Sequence, residues 1–142
     1  MPTAPRSPLP CTVAAIRAGH FHDEIELRSA GASPLLATIT RYNTQTLGLR
    51  PGVRVHARVK PASVLLLAGD SAAHVAAQNT LDATIEAIEP GAVRHEVMLS
   101  LPGGESLAAS LTRTSADRLG LHPGQPVRAI FKASAVVLAR AE

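Results

Sequence analysis

Apolar and polar residues alternate with a period of two over most of this chain, the spacing of strands half buried against a core. Segments 12–16 and 84–88 read as strands, ending before Gly19 and Gly91. A second strand follows each, at 22–27 and 95–101, and breaks at Gly31 or at Pro102-Gly103-Gly104, which are turn signals. Third strands cover 35–40 and 107–112. Next comes a single short helical turn, at 42–49 and 114–121, with Thr or Ser near its start and a Gly-Leu exit closed by Pro51-Gly52 or Pro123-Gly124. Two last strands complete each series, 53–59 with 63–67 and 126–131 with 135–138, bracketing Lys60 and Lys132 at a tight turn.

The two series are one series written twice. Displaced by 72 positions the chain matches itself without a gap: Thr40 falls on Thr112, Lys60 on Lys132, and Leu47-Gly48-Leu49 on Leu119-Gly120-Leu121. About a third of positions 4–64 are identical to 76–136, among them Gly19/Gly91, Glu24/Glu96, Gly31/Gly103 and Val55/Val127. A residue kept in both copies was needed twice; a residue lost from one marks where their jobs differ. Five strands with a short helix between the third and fourth is the pattern of an OB-like Greek-key barrel. The expected fold is therefore all-β, two tandem OB-like five-stranded barrels each with one short helix. The expected division is a first unit at 3–68, a linker at 69–75 and a second unit at 76–140.

Composition sharpens this picture in three ways. A unit of about 65 residues buries only about 60% of its unfolded surface, so the copies are expected to pack on each other or on further chains. The cores must be aliphatic, because Phe21, Phe131 and Tyr42 are the only aromatics. The formal charge of +3 comes from basic residues spread along the chain, and three scattered aromatics cannot form a base-stacking platform, which argues against nucleic acid as the partner. No apolar run is long enough to span a membrane, the first residues show no apolar signal region, and Cys11 is alone, so the expected address is the cytoplasm.

Catalytic constellations find no support: no Ser/His/Asp arrangement repeats, and the six histidines show no ligand spacing. Gly103-Gly104 lacks the strand-to-helix context of a phosphate loop and reads as a hairpin turn. His22 and His95 lie one register apart ahead of the shared Glu24/Glu96 and read as histidines with ordinary hydrogen bonds. What repeats is a set of donors: Thr40 and Thr112, Ser115, Lys60 and Lys132, and Ser134 after Lys132-Ala133. A tetrahedral oxyanion wants such donors, since only they replace its water shell. The plainer alternative stays open at this point: Thr and Ser as helix caps, Lys as a strand end in solvent.

Ala76-Ala77-Gln78-Asn79-Thr80-Leu81, Ile88 to Val97, Leu111-Thr112-Arg113-Thr114-Ser115, Leu119 to Gly124 and Phe131 to Val136 resemble the Mop domain from end to end. The chain is similar to the molbindins, small cytoplasmic tandem Mop proteins that bind molybdate or tungstate, and to the effector region of molybdate-responsive regulators. The resemblance implies the OB-like fold and oxyanion sites between Mop units. Carried over by position, it implies contacts from Thr112, Ser115, Lys132, Ala133 and Ser134 in the second copy and from Arg6, Thr40 and Lys60 in the first. Both copies depart from the family pattern. The second has Gln78 where the family has Arg and no Ser before it; the first has Asn43 for Ser and Lys60-Pro61-Ala62 for Lys-Ala-Ser. The family's second kind of site is altered to His22-Asp23 and Arg94-His95, and no ligand is assigned to it.

Three functions follow from these residues: a free-standing molybdate or tungstate store, the sensing region of a regulator, or a ligand-free assembly module. The resemblance further implies a closed homo-oligomer, a trimer for free-standing tandem forms and a dimer for regulator regions.

Overall fold

In a computed structural model, residues 8–69 and 78–141 are described. The first copy runs β1 (Leu9–Arg17), β2 (His22–Ser29), β3 (Pro34–Thr40), α1 (Arg41–Thr46), β4 (Arg54–Val59) and β5 (Leu65–Ala68). The second repeats it as β6 (Asn79–Glu89), β7 (Arg94–Ser100), β8 (Ser106–Thr112), α2 (Arg113–Leu119), β9 (Pro126–Phe131) and β10 (Val136–Arg140). Most of the 69–75 linker and Arg6 lie outside the described residues. The opening strands are longer than alternation alone predicts. Pro10 sits exposed in β1 opposite His56.

The strand pairing differs from the sequence expectation at one place in each copy. The sheets have the orders β10-β4-β1-β2-β3 and β5-β9-β6-β7-β8. Each copy thus supplies four strands of its own barrel and takes the fifth from the other. Val136 pairs with Val59 and Leu138 with Ala57, while Leu65 pairs with Ile130 and Leu67 with Arg128. The physical reason lies in the lysine turns. A hairpin back onto β4 or β9 would use a two-residue connection. Instead Lys60 and Lys132 each open a single 3-10 turn, Pro61–Ser63 or Ala133–Ala135. The first turn packs on β8 and the second on β3, so each delivers the following strand to the opposite sheet.

One continuous apolar core results, with Val13, Ile25, Leu27 and Val55 from the first copy and Ile85, Val97, Leu99 and Phe131 from the second. A β-bulge lies between Val13 and Ala15 in β1 and between Ile85 and Ala87 in β6, equivalent positions that bend the sheets alike. Asn79, almost wholly buried, acts as a strand fragment across the seam. Its Oδ1 accepts from the Leu36 N–H at 2.8 Å and its Nδ2 donates to the Leu36 carbonyl at 2.8 Å.

At another part of the seam the β2–β3 and β7–β8 turns meet backbone to backbone. A Cβ on Gly103 would lie 2.4 Å from the Gly31 Cα, and one on Gly31 would lie 2.6 Å from the Gly103 Cα. This explains why both glycines are kept. Beside them the Ser29 hydroxyl accepts from the Ser33 N–H and donates to Glu105 Oε1 at 2.9 Å, tying the first copy to the second. Gly103→Ala is expected to destabilise the protein by about 1–3 kcal/mol, the cost of overpacking a tight contact, read as a lower urea midpoint with an unchanged slope. An unchanged midpoint would mean that the two turns can slide apart freely.

Candidate functional site

Both helical turns begin at threonines that leave their strand in an extended conformation and cap the turn. Thr40 Oγ1 accepts from the Asn43 N–H at 3.1 Å, and Thr112 Oγ1 accepts from the Ser115 N–H at 3.2 Å. The capping role therefore holds in both copies. In the second copy the Thr112 hydroxyl also donates to Ser115 Oγ at 2.9 Å. Its proton is thereby engaged, leaving Ser115 as the hydroxyl of that pair with a proton to offer.

The strand exchange decides which candidate residues become neighbours. An open groove of about 730 Å³ is lined by His22, Thr38, Thr40, Asn43 and Thr46 of the first copy and by Ser134 and Val136 to Leu138 of the second. Ser134 thus lines the same groove as Thr40, with Lys132 and Ala133 just before it in the same turn. Lys60 lies elsewhere, in a cavity of about 590 Å³ shared with Arg58, Pro61, Met98 and Ser106. The turn it opens packs on β8, the strand that ends at Thr112. The lysine turn of each copy therefore rests on the strand that leads into the other copy's helical turn.

The donors at the two turns are not equally free. Ala133 is buried, and its N–H donates to Gln78 Oε1 at 3.0 Å. The sequence expectation counted this N–H as an oxyanion donor; in the structure it already has a partner. Pro61, at the equivalent position, has no N–H at all. Gln78 stands where the Mop pattern has Arg and matches Arg6 under the 72-residue shift, but nothing in the sequence shows that its side chain holds the Ala133 N–H.

That shift also pairs Asp23 with His95, and the structure gives the pair one job. Gly19 N–H donates to Asp23 Oδ1 at 3.0 Å, and Gly91 N–H to His95 Nδ1 at 3.3 Å, each bracing the turn after the first strand of its copy. His95 is accordingly a hydrogen-bonded histidine, as expected. His22 lines the groove. Its counterpart Arg94 is tied to Ser110 through Nε–Oγ at 2.8 Å and through a second bond to the Ser110 carbonyl at 2.6 Å. Asp23 is 2% exposed, and the Gly19 N–H holds its carboxyl below the ordinary value against the opposing effect of burial, with Thr44 and Arg41 assisting.

Direct metal ligation is not offered: no group of three or more His, Cys, Asp or Glu converges among the described residues. Burial, with Glu105 nearby, pushes the Cys11 thiol up to about 12, which removes it as a thiolate. The Thr38, Thr40, Thr46 and Ser134 hydroxyls and the Asn43 amide that line the groove can donate to an oxyanion's outer oxygens.

A depressed carboxylate contributes stability that is present above its unfolded value, near 3.9, and is lost as the pH falls through the lower folded value. Asp23→Asn should therefore be less stable than wild type at pH 7. The gap should narrow below about pH 4 as wild type takes up the proton, in urea titrations run from pH 7 to 3. A constant gap would assign the effect to shape instead of charge.

Comparison with known proteins agrees with this architecture. The TOBE domain model matches twice, at residues 3–66 and 76–138. The molybdenum-pterin-binding protein MopA of Rhodobacter capsulatus is 41% identical over 139 residues, covering 98% of this chain and 52% of MopA. The molybdenum transport protein ModE of Herbaspirillum seropedicae is 35% identical, covering 98% and 52%. The chain thus spans about half the length of these relatives. A crystal structure of the cytoplasmic molybdate-binding protein ModG with molybdate bound superposes with a TM-score of 0.92 at 35% identity, over 99% of this chain and 100% of that one. With both copies matched and the strand order of each sheet explained, the chain belongs to the TOBE-domain family, as a tandem pair of the Mop type.

Proposed function

We propose that this chain binds molybdate or tungstate as intact tetrahedral oxyanions and serves as a cytoplasmic store or buffer for them. The observation that carries the reading is its end-to-end likeness to molybdate-bound ModG. The groove that Thr40 of one copy and Ser134 of the other both line supports it, because it brings hydroxyls of the two copies to one surface, with Lys132 two residues before Ser134 in the chain. In this proposal Thr40 and the Lys132-Ala133-Ser134 turn serve one site class. Ser115, held in place by Thr112, and Lys60 serve a second, with Arg6 adding charge. Thr40, Lys60, Thr112, Ser115, Lys132 and Ser134 are all exposed in the single chain. A further chain closing over the anion would withdraw it from water, which supports a closed homo-oligomer with sites completed between chains; the Mop resemblance implies that it is a trimer.

The two oxyanions are nearly alike in size, so a cavity shaped for one accepts the other, while the smaller sulfate leaves donors under-coordinated. Calorimetry should show molybdate and tungstate competing as equals and sulfate failing to displace either; sulfate binding equally well would sink the proposal. Lys132→Ala should weaken molybdate binding by about ten- to a hundredfold, the loss of a charge-assisted bond of about 1.5–3 kcal/mol, and Lys60→Ala by less. Wild-type affinity in Lys132→Ala would put the stronger site in the wrong place. Light scattering should report a trimer at micromolar concentration, and a monomer with and without molybdate would refute closure between chains. A second reading, the sensing half of a larger regulator, is favoured by the ModE relative, whose length is about twice the part matched here.

A further inference from the structure

The two lysine turns both lack a free first N–H, for different reasons. In the first copy that position is Pro61, which has none. In the second it is Ala133, 1% exposed, whose N–H is held by Gln78 Oε1 at 3.0 Å. A buried N–H must have a partner, and here only one acceptor can sit in front of it at a time. An oxyanion that takes the Ala133 N–H as a donor competes with the Gln78 carbonyl for that one hydrogen. A carbonyl oxygen left facing an anion is also repulsive, so the two exclude each other on charge as well as on space. By sequence, Arg6 holds the matching position ahead of Pro61. An acceptor thus precedes the turn that has an N–H to cap, and a pure donor precedes the turn that has none.

Resting on the oxyanion reading above, we propose that Gln78 is a built-in competitor at the second copy's lysine turn: its carbonyl occupies the Ala133 donor, binding there requires that bond to open, and Gln78 thereby sets the affinity of this site class. The first copy has no donor to release, so its affinity is independent of such a step. The chain accordingly holds two site classes with different thresholds, and residue 78 determines how far apart they lie.

Titration of the full chain with sodium molybdate tests this with two variants. Gln78→Ala frees the N–H and should tighten one class of site about three- to tenfold, the worth of one neutral hydrogen bond. Gln78→Glu keeps an acceptor on Ala133 and adds a negative charge, so it should bind more weakly than wild type. If Gln78 merely braced the turn, Gln78→Ala would loosen it and weaken binding; weaker or unchanged affinity in that variant overturns the proposal. A measurement on wild type is independent of how the variants fold. The Ala133 amide resonance should move on saturation with molybdate as the N–H changes partner, and a resonance that stays put while molybdate binds overturns the proposal too. Wild type silent but Gln78→Ala binding would keep the competitor and remove the storage function; silence in both would remove both.

Discussion

Each barrel is closed by a strand that the other copy supplies, and this exchange is the constraint on which the rest of the structure depends. β4 and β9 have one neighbour from their own copy, and their other side is filled by β10 and β5 respectively. Left unfilled, those edges would expose ladder groups and open both ends of a thin aliphatic core. Because the crossing strands are anchored through Leu65–Ile130 and Val136–Val59 pairs, neither copy can be displaced without unpairing a strand from the other. The single core cluster, the Asn79 stitch to Leu36 and the Ser29–Glu105 bond all span the seam that the exchange creates. The crossing also moves the lysine turns, since each must pass over the opposite copy's third strand to reach its sheet.

That displacement explains how the copies could diverge without losing their common design. Where the scaffold needs a cap, both keep Thr, at 40 and 112; where a turn needs an acceptor, chemistry is free as long as the hydrogen bond survives, as Asp23 and His95 illustrate. Gly31 and Gly103 allow no such freedom, because the space a side chain would need is taken by the other copy's backbone. The residues that touch the grooves are held less tightly. At one shared position Arg94 is tied to Ser110 while His22 lines the groove, and Ala133 and Pro61 leave the first N–H engaged in one case and missing in the other.

Much of the fold was legible in the sequence because its signals are local. Period-two alternation marks the strands, Pro-Gly and Gly-Gly mark the turns, and a threonine ahead of a Gly-Leu exit marks each capped helical turn. The strand exchange was not legible, since alternation reports which face of a strand is buried and says nothing about whose edge it joins. Leu65 and Val137 fit either sheet equally well by composition. The candidate site divides in the same way. Lysine, threonine and serine at repeated positions pointed to anion chemistry, but whether their hydrogens are free depends on distant partners. Gln78 lies 55 positions from Ala133, and nothing in either neighbourhood announces the bond.

The crossing strands also set an order of events during synthesis. When β4 leaves the ribosome its partner β10 does not yet exist, and almost the whole second copy must be made before Val136–Arg140 emerges. At about 5–20 residues per second the first barrel waits several seconds with one edge unpaired. Its own β5 emerges within that interval, apolar and equally without its sheet. In a cell, then, the first half of the chain passes through a period of exposure that the finished fold conceals, and its length is set by translation speed as well as by folding.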